Sequence, residues 1–191
     1  WMKRKAAERN CAIAGSVAVC ENGNYYNRFY FVHPDGAVQH YDKKHLFIFG
    51  GEHKRFTAGT ERVVVNFRGV RILLEVCYDL RFPVWARNLG DYDMILYVAS
   101  WPTPRVDAWS ALLRARAIEN QCYVAGVNRM GVDPACEYSG GSAIIDPYGK
   151  TIAECPWSRE SAVSADIDME ALQTFRKKFP VLDDADPFTL I

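Results

Sequence analysis

Cys77 lies where an apolar segment of the chain turns sharply polar. It ends the run 73–77 and precedes Tyr78 and Asp79. Ligands of open α/β sheets collect beyond the carboxyl ends of the strands, so a thiol there is placed to attack a carbonyl-type carbon. Such a nucleophile must be a thiolate, and a nearby cation or helix amino terminus lowers the pKa of a thiol. Because free cysteine is often buried, a core role for Cys77 is the alternative.

A second set of groups with chemical potential lies between residues 43 and 54. The ammonium of Lys43 or Lys44 could stabilise an oxyanion in a crevice, although a solvated charged turn is the alternative. His45 could act as a general base towards a cysteine, but no Asn or Asp is seen to orient it, which favours a packing role. Glu52 lies in a glycine-bearing loop, a common site edge, with an exposed surface position as the alternative.

Other charged residues have structural interpretations. Asp79 and Arg81 are expected to pair with each other or to cap the following helix. Arg116 and Glu119 have the i,i+3 spacing of a helical ion pair. Together with Arg114 on the same predicted helix, they are interpreted as structural or interface residues.

Strands are the main elements that must position these groups. Runs of β-branched and aromatic residues, separated by turns that contain Gly, Pro and Asp, predict these strands. The predicted strands are 12–19 (as a buried strand), 26–32, 37–41, 63–67, 70–77, 94–99, 123–127, 142–146, 151–155 and 161–167. Hairpins among them favour a mixed sheet over a purely parallel one.

Helices are fewer, and the predicted ranges are 82–89, 107–120 and 168–178, after a helix-like start. Asp107 is predicted to cap the long helix. Its predicted buried side consists of Trp109, Leu112, Leu113 and Ile118. Strands interleaved with helices predict an α/β layered fold.

Composition excludes several classes of protein. The 191 residues suit one domain over 1–191, and zero net charge without a basic cluster argues against nucleic-acid binding. The apolar runs are strand-sized, so no membrane association is expected. Neither the six cysteines nor the four histidines have metal-ligand spacing, and we expect no metal and no other cofactor. A disulfide framework is not expected at this size, which predicts a cytoplasmic location.

Several segments carry a family resemblance. Residues 43–47 (Lys-Lys-His-Leu-Phe) resemble the K-x-H-L element of the nitrilase superfamily of carbon–nitrogen hydrolases, and residues 76–83 (Val-Cys-Tyr-Asp-Leu-Arg-Phe-Pro) resemble its nucleophile motif. Residues 114–121 and 146–149 resemble two further signatures, so the likeness covers essentially the whole chain in order. Within the superfamily, segments 41–47, 77–85 and 101–105 resemble the bacterial omega-amidase type.

The resemblance implies an α-β-β-α sandwich that forms a homodimer or higher homo-oligomer through helical faces. It also implies a Glu-Lys-Cys triad, in which Lys43 is the catalytic lysine and Cys77 the nucleophile. Glu52 matches an additional glutamate that supports the lysine. Lys43 and the backbone N–H of Tyr78 would hold the oxyanion, and the reaction would pass through a thioester.

In the family pattern the triad glutamate lies upstream of everything in this chain. Residues 1–20 resemble the helix and strand that follow it. The resemblance therefore implies that the first strand, first helix and glutamate-bearing strand are missing. We expect the 191-residue chain alone to be weakly active or inactive.

The function implied is hydrolysis of the omega-amide of a small dicarboxylic acid, of the 2-oxoglutaramate or 2-oxosuccinamate type, to the acid and ammonia. Arg105, beside Trp101, is the candidate cation for the distal carboxylate, and Arg55 is the second candidate, with a plain surface role as its alternative. The alternative functions are those of three other hydrolase types of the superfamily, namely another amidase, a nitrilase and a carbamoyl hydrolase. A non-catalytic relative is a further alternative. The expected partner is a small amide, with no nucleic acid and no membrane.

Overall fold

The computed structural model describes residues 1–189. Its helices are α1 (Met2–Arg9), α2 (Pro83–Ala86), α3 (Val106–Glu119) and α4 (Met169–Lys178). Its strands are β1 (Ile13–Glu21), β2 (Asn24–Val32), β3 (Val38–Asp42), β4 (Val64–Phe67), β5 (Val70–Val76), β6 (Met94–Ala99), β7 (Tyr123–Asn128), β8 (Met130–Val132), β9 (Glu137–Ser139), β10 (Ala143–Ile145) and β11 (Thr151–Glu154).

The larger sheet has the strand order β11-β10-β7-β6-β5-β4. Its centre is parallel, with Ile72 opposite Met94 and Met94 opposite Tyr123. The outer strands pair antiparallel. The predicted mixed sheet is confirmed, and the carboxyl ends of β5, β6 and β7 meet at one edge.

The smaller sheet is antiparallel, in the order β1-β2-β3, and packs face to face against the larger one. Phe29, Phe31 and Tyr41 of the small sheet meet Leu74 and Val76 of the large sheet in one buried cluster. Alternation along each strand sends these side chains inward. This contact brings the segment after β3 next to the end of β5.

Helices cover the outer faces of the two sheets. Trp109, Leu113 and Ala117 of α3 are buried against the large sheet. At the small sheet, α1 contacts β1 and β2 and buries Ala6 completely. The predicted α-β-β-α layering is confirmed.

Three predictions about helices were wrong in detail. Arg105 is the N-cap residue of α3, and Asp107 lies in the first turn instead of capping it. The buried stripe of α3 follows i, i+4, i+8 from Trp109, which leaves Ile118 54% exposed and Leu112 half-buried. The short helix ends at Ala86, three residues before the predicted end, because Asn88 turns to hydrogen-bond Asn120.

Two predictions about strands were also wrong. Residues 161–167 form no strand, and in the part of the chain that the structure describes β11 is the edge of the large sheet. Of the four apolar residues in this segment, Ala162 and Val163 are exposed, and Ala165 and Ile167 are half-buried. β1 is largely exposed instead of buried, because it is an edge strand of the small sheet within residues 1–189. The short β8–β9 hairpin was not predicted.

Candidate active site

A cleft of about 800 Å³ opens where the carboxyl ends of β5 and β6 meet the segment after β3. Its volume is in the range of small-molecule sites. The site residues predicted from the sequence all line it, namely Lys43, Glu52, Cys77, Tyr78, Trp101 and Arg105. Arg55 does not line this cleft and is exposed.

Cys77 begins a 3-10 turn (Cys77–Arg81) directly after β5. Its φ of +50° is in the left-handed region, which costs energy for a residue with a Cβ. Sγ lies 3.9 Å from the carbonyl oxygen of Ser100, at the end of the neighbouring β6. Because the first N–H groups of a helical turn have no partner within it, the N–H of Tyr78 is a donor next to the thiol.

Lys43 supplies a nearly buried positive charge to this cleft, with 3% of its side chain exposed. Its Nζ donates to Oε2 of Glu52 at 2.5 Å. Glu52 also accepts hydrogen bonds from the backbone N–H of Phe47 and from Nδ2 of Asn27. Three donors therefore hold the glutamate, and the glutamate holds the lysine.

The charges of this pair affect the protonation of both Glu52 and Cys77. Burial alone would raise the pKa of Glu52, but the charge of Lys43 and the hydrogen bonds from Lys43, Phe47 and Asn27 together outweigh it, and the pKa lies below its ordinary value. For Cys77, burial dominates and raises the pKa of the thiol, while Lys43 opposes the rise. The cation is present as the sequence predicted, yet the net effect on the thiol is upward. Nucleophilic attack by Cys77 therefore requires a base that removes its proton.

Asp79 and His45 differ from their predicted roles. Asp79 does not pair with Arg81 in the described residues, because its carboxylate is fully buried and accepts from His45 Nδ1 at 2.8 Å. His45 thus has the orienting aspartate that the sequence did not reveal, and its ring stacks on Phe82 at 3.8 Å. The guanidinium of Arg81 lies over the ring of Trp101. The predicted ion pair of Arg116 with Glu119 is confirmed.

Trp101 and Arg105 form another part of the cleft lining. Trp101 is buried, and its Nε1 donates to the backbone oxygen of Arg105 at 2.6 Å. The guanidinium of Arg105 lies 5.3 Å from the centre of the Phe47 ring. No carboxylate among residues 1–189 pairs with it, whereas Arg129 of the same cleft pairs with Asp133.

Sequence reasoning missed part of the cleft wall. Phe47 and Phe49 line the cleft, and Phe49 is 89% exposed. Asn27, on β2, also lines it and orients Glu52. Aromatic residues next to a Gly-Gly pair are the signal that could have indicated this wall. No local signal marks Asn27, because its partner is 25 positions away.

The described chain offers neither a metal cluster nor a membrane helix. No group of three or more His, Cys, Asp or Glu side chains in residues 1–189 is arranged to hold a metal ion. Over the same residues, none of the helices is both long and apolar enough to cross a bilayer.

Comparison with known proteins agrees with this geometry. The sequence profile of the carbon–nitrogen hydrolases matches residues 1–177. The chain belongs to the carbon–nitrogen hydrolase family. This carbon–nitrogen hydrolase is 53% identical to the omega-amidase YafV of Escherichia coli (strain K12) over 191 residues, which cover 100% of the chain and 75% of the relative. It is 41% identical to the 2-oxoglutaramate amidase of Bacillus subtilis (strain 168) over 188 residues, covering 96% and 72%.

A solved structure gives the same result. XC1258 from Xanthomonas campestris is a CN-hydrolase superfamily protein whose crystal structure has an arsenic adduct in the active site. It superposes on the present carbon–nitrogen hydrolase with a TM-score of 0.96 and 47% identity, covering 100% of this chain and 75% of that one. The predicted membership of the nitrilase superfamily is confirmed, and so is its fold.

Proposed function

We propose that this chain carries the nucleophile site of an omega-amidase, which hydrolyses the terminal amide of a small dicarboxylic acid to the acid and ammonia. The observation that carries the proposal is the cleft itself, where the Cys77 thiol, the buried Lys43 ammonium and the Arg105 guanidinium face one space. The names of the relatives, an omega-amidase and a 2-oxoglutaramate amidase, support this substrate class.

The proposed reaction begins with attack of Cys77 Sγ on the amide carbon, as the thiol proton passes to a base. The carbonyl oxygen becomes an oxyanion, which the ammonium of Lys43 and the N–H of Tyr78 stabilise. When the tetrahedral intermediate collapses, the C–N bond breaks and the nitrogen takes up a proton and leaves as ammonia. The acyl group stays on sulfur as a thioester.

Water completes the reaction in the second half. A base removes a proton from water, whose oxygen attacks the thioester carbon. The C–S bond breaks, the thiol regains its proton and the carboxylic acid leaves. Glu52 is a poor proton carrier for these steps, since its charge is committed to Lys43 and its pKa is low. The family resemblance implies that the glutamate of the Glu-Lys-Cys triad makes these transfers.

Arg105 is proposed to select the substrate by its distal carboxylate. Its guanidinium has no carboxylate partner in the described chain, and a guanidinium binds carboxylates with two parallel hydrogen bonds. A homodimer and a cytoplasmic location stay predictions.

Binding of amides with and without the distal carboxylate tests the substrate class. Titration calorimetry on the Cys77→Ala variant avoids any dependence on turnover, with 2-oxoglutaramate compared with a neutral aliphatic amide of similar length. Arg105→Met should weaken binding of the carboxylated amide by about tenfold to a hundredfold, since a hydrogen bond to a charged group contributes about 1.5–3 kcal/mol. Arg55→Met, which alters an arginine outside the cleft, is the control. An equal loss for both amides would contradict the assignment.

The chemistry of Cys77 is tested by thiol labelling. At neutral pH, iodoacetamide should label Cys77 faster than the buried Cys122 and more slowly after Lys43→Met, because that change removes the cation opposing the rise in thiol pKa. If Cys77 reacted no faster than Cys122, its role as nucleophile would be contradicted, and an unchanged labelling rate in Lys43→Met would contradict the role of Lys43.

A further inference from the structure

We propose that Asp79 is a positioning residue that fixes Lys43 relative to Cys77. The inference rests on the proposed function, since it takes Cys77 as the nucleophile and Lys43 as its cation. Asp79 is not among the residues that line the cleft. It acts through the backbone segments that carry Lys43 and Cys77.

The carboxylate of Asp79 binds both sides of Lys43. Oδ2 accepts from the hydroxyl of Tyr41 at 2.8 Å, and Oδ1 accepts from the backbone N–H and Nδ1 of His45 at 2.9 and 2.8 Å. Tyr41 and His45 are the residues two positions before and after the lysine. The segment that presents Lys43 is therefore held at both ends by one carboxylate.

The same carboxylate also binds the backbone that presents the thiol. Oδ2 accepts from the N–H of Val76 at 3.0 Å, the residue before Cys77. This bond closes the turn in which Cys77 adopts its left-handed φ of +50°. A strained backbone conformation persists only where surrounding contacts determine it, and this contact is one of them.

Further bonds keep the carboxylate in place. The Tyr41 hydroxyl, which donates to Asp79, accepts from Nε1 of Trp85 and from the N–H of Lys44. Asp79 is fully buried, so each of its four hydrogen bonds lies away from solvent. Segments 41–45 and 76–79 thus move as one unit, and the distance between the ammonium and the thiol depends on that unit.

The predicted consequence concerns the reactivity of Cys77. Lys43 opposes the burial that raises the pKa of the thiol, and that help weakens as the ammonium moves away. The negative charge of Asp79 itself raises the same pKa. Loss of the charge alone would therefore lower the thiol pKa, whereas loss of positioning would raise it. The direction of the change separates the two roles.

The test is the pH profile of iodoacetamide labelling of Cys77 in the 191-residue chain, followed by mass spectrometry from pH 6 to 10. In Asp79→Asn, an NH2 group replaces one of the two carboxylate oxygens. Because this group cannot accept hydrogen bonds, the hydrogen bonds that the replaced oxygen accepts are lost. We expect the profile to move up by about one pH unit, which is about tenfold slower labelling below the midpoint. Tyr41→Phe keeps the carboxylate and removes one donor, and it should shift the profile in the same direction by less.

The matched control is Asp93→Asn. Asp93 is another buried aspartate, held by Arg71 and Arg176 and absent from the cleft lining. Its replacement should lower the melting temperature without moving the Cys77 profile. Cys20, an exposed thiol on β1, gives an internal reference for reagent reactivity in every sample.

A downward shift in Asp79→Asn would overturn the proposal, as would unchanged profiles in both Asp79→Asn and Tyr41→Phe. An equal shift in Asp93→Asn would also overturn it, by showing a general effect of lost stability. If Asp79→Asn fails to fold, Tyr41→Phe decides. Lys43→Met separates this inference from the proposed function: if it leaves the profile unchanged, the role of Lys43 fails, and if it shifts the profile while the other variants do not, only the role of Asp79 fails.

Discussion

Replacement of Glu75 with glutamine is expected to stabilise the protein by an amount that grows with pH. Glu75 lies on β5 opposite Tyr97 of β6, on the helix-covered face of the sheet, and is completely buried. Neither of its carboxylate oxygens has a hydrogen-bond partner within residues 1–189. Burial, followed by the charge of Asp79, raises the pKa of Glu75 well above its ordinary value, against the opposing charges of Arg62 and Arg116.

The sign and size of the effect follow from proton linkage. Because the folded state binds the Glu75 proton more tightly than the unfolded state, the stability that this proton contributes is complete below the ordinary pKa. It is lost as the pH rises towards the folded pKa. Over that interval the free energy of unfolding falls by about 1.4 kcal/mol per pH unit. Glutamine does not titrate, so it avoids this loss. Glu75→Leu also removes the unpaired polar atoms, whose burial costs about 1–3 kcal/mol.

Urea unfolding at pH 5, 6, 7 and 8 measures this difference, since contributions of other titrating groups cancel between the variant and the wild type. The advantage of Glu75→Gln should be small at pH 5 and increase at each step until the folded pKa is passed. Glu154→Gln, at an exposed position on β11, is the control and should stay within about 0.5 kcal/mol of wild type. A difference that does not vary with pH, or a wild type that is the more stable protein at pH 8, would refute the reasoning.

Two further predictions concern the segment that holds Lys43. Glu52→Gln leaves the lysine charge buried without its counter-charge, so the free energy of unfolding at neutral pH should fall by about 3–5 kcal/mol. Because the pKa of Glu52 is lowered in the folded state, that deficit should disappear as the pH falls through the folded pKa, and a deficit that persists in acid would contradict the ion-pair explanation. Gly59→Ala would place a Cβ 2.0 Å from the backbone oxygen of Asp42, so urea unfolding should show a loss of about 1–3 kcal/mol. Gly15→Ala, where the added Cβ meets no atom within 4 Å, should lack that loss.

Local sequence patterns were sufficient for much of the fold. The hairpin around Arg68 and Gly69 and the turn at 147–150 were predicted from residues that favour those turns, and β4, β5, β10 and β11 lie close to their predicted positions. The cap of α4 was also local, since Asp168 accepts from the N–H of Ala171. These features depend on residues that are only a few positions apart, so the local sequence is sufficient to predict them.

The residues of the candidate site also differ in whether the sequence or only the tertiary structure revealed their role. The sequence predicted that a strand ends at Cys77, and β5 ends one residue earlier, at Val76. The motif resemblance selected Lys43 and Glu52, and Arg105 was selected as a cation beside Trp101. Only the tertiary structure decided that Asp79 serves His45 and not Arg81, because the two partners are 34 positions apart and meet through packing of the two sheets.

Protonation was likewise decided by the tertiary structure. The family resemblance implies that Lys43 lies near Cys77, but the direction of the pKa shift of the thiol depends on burial, which is the largest contribution. Burial also determines the direction of the pKa shift of Glu75, because helix α3 and the sheet together exclude water from its carboxyl group. Residue types and spacing determine which groups are available, and the packing of distant segments determines how strongly each group holds its proton and which partner it meets.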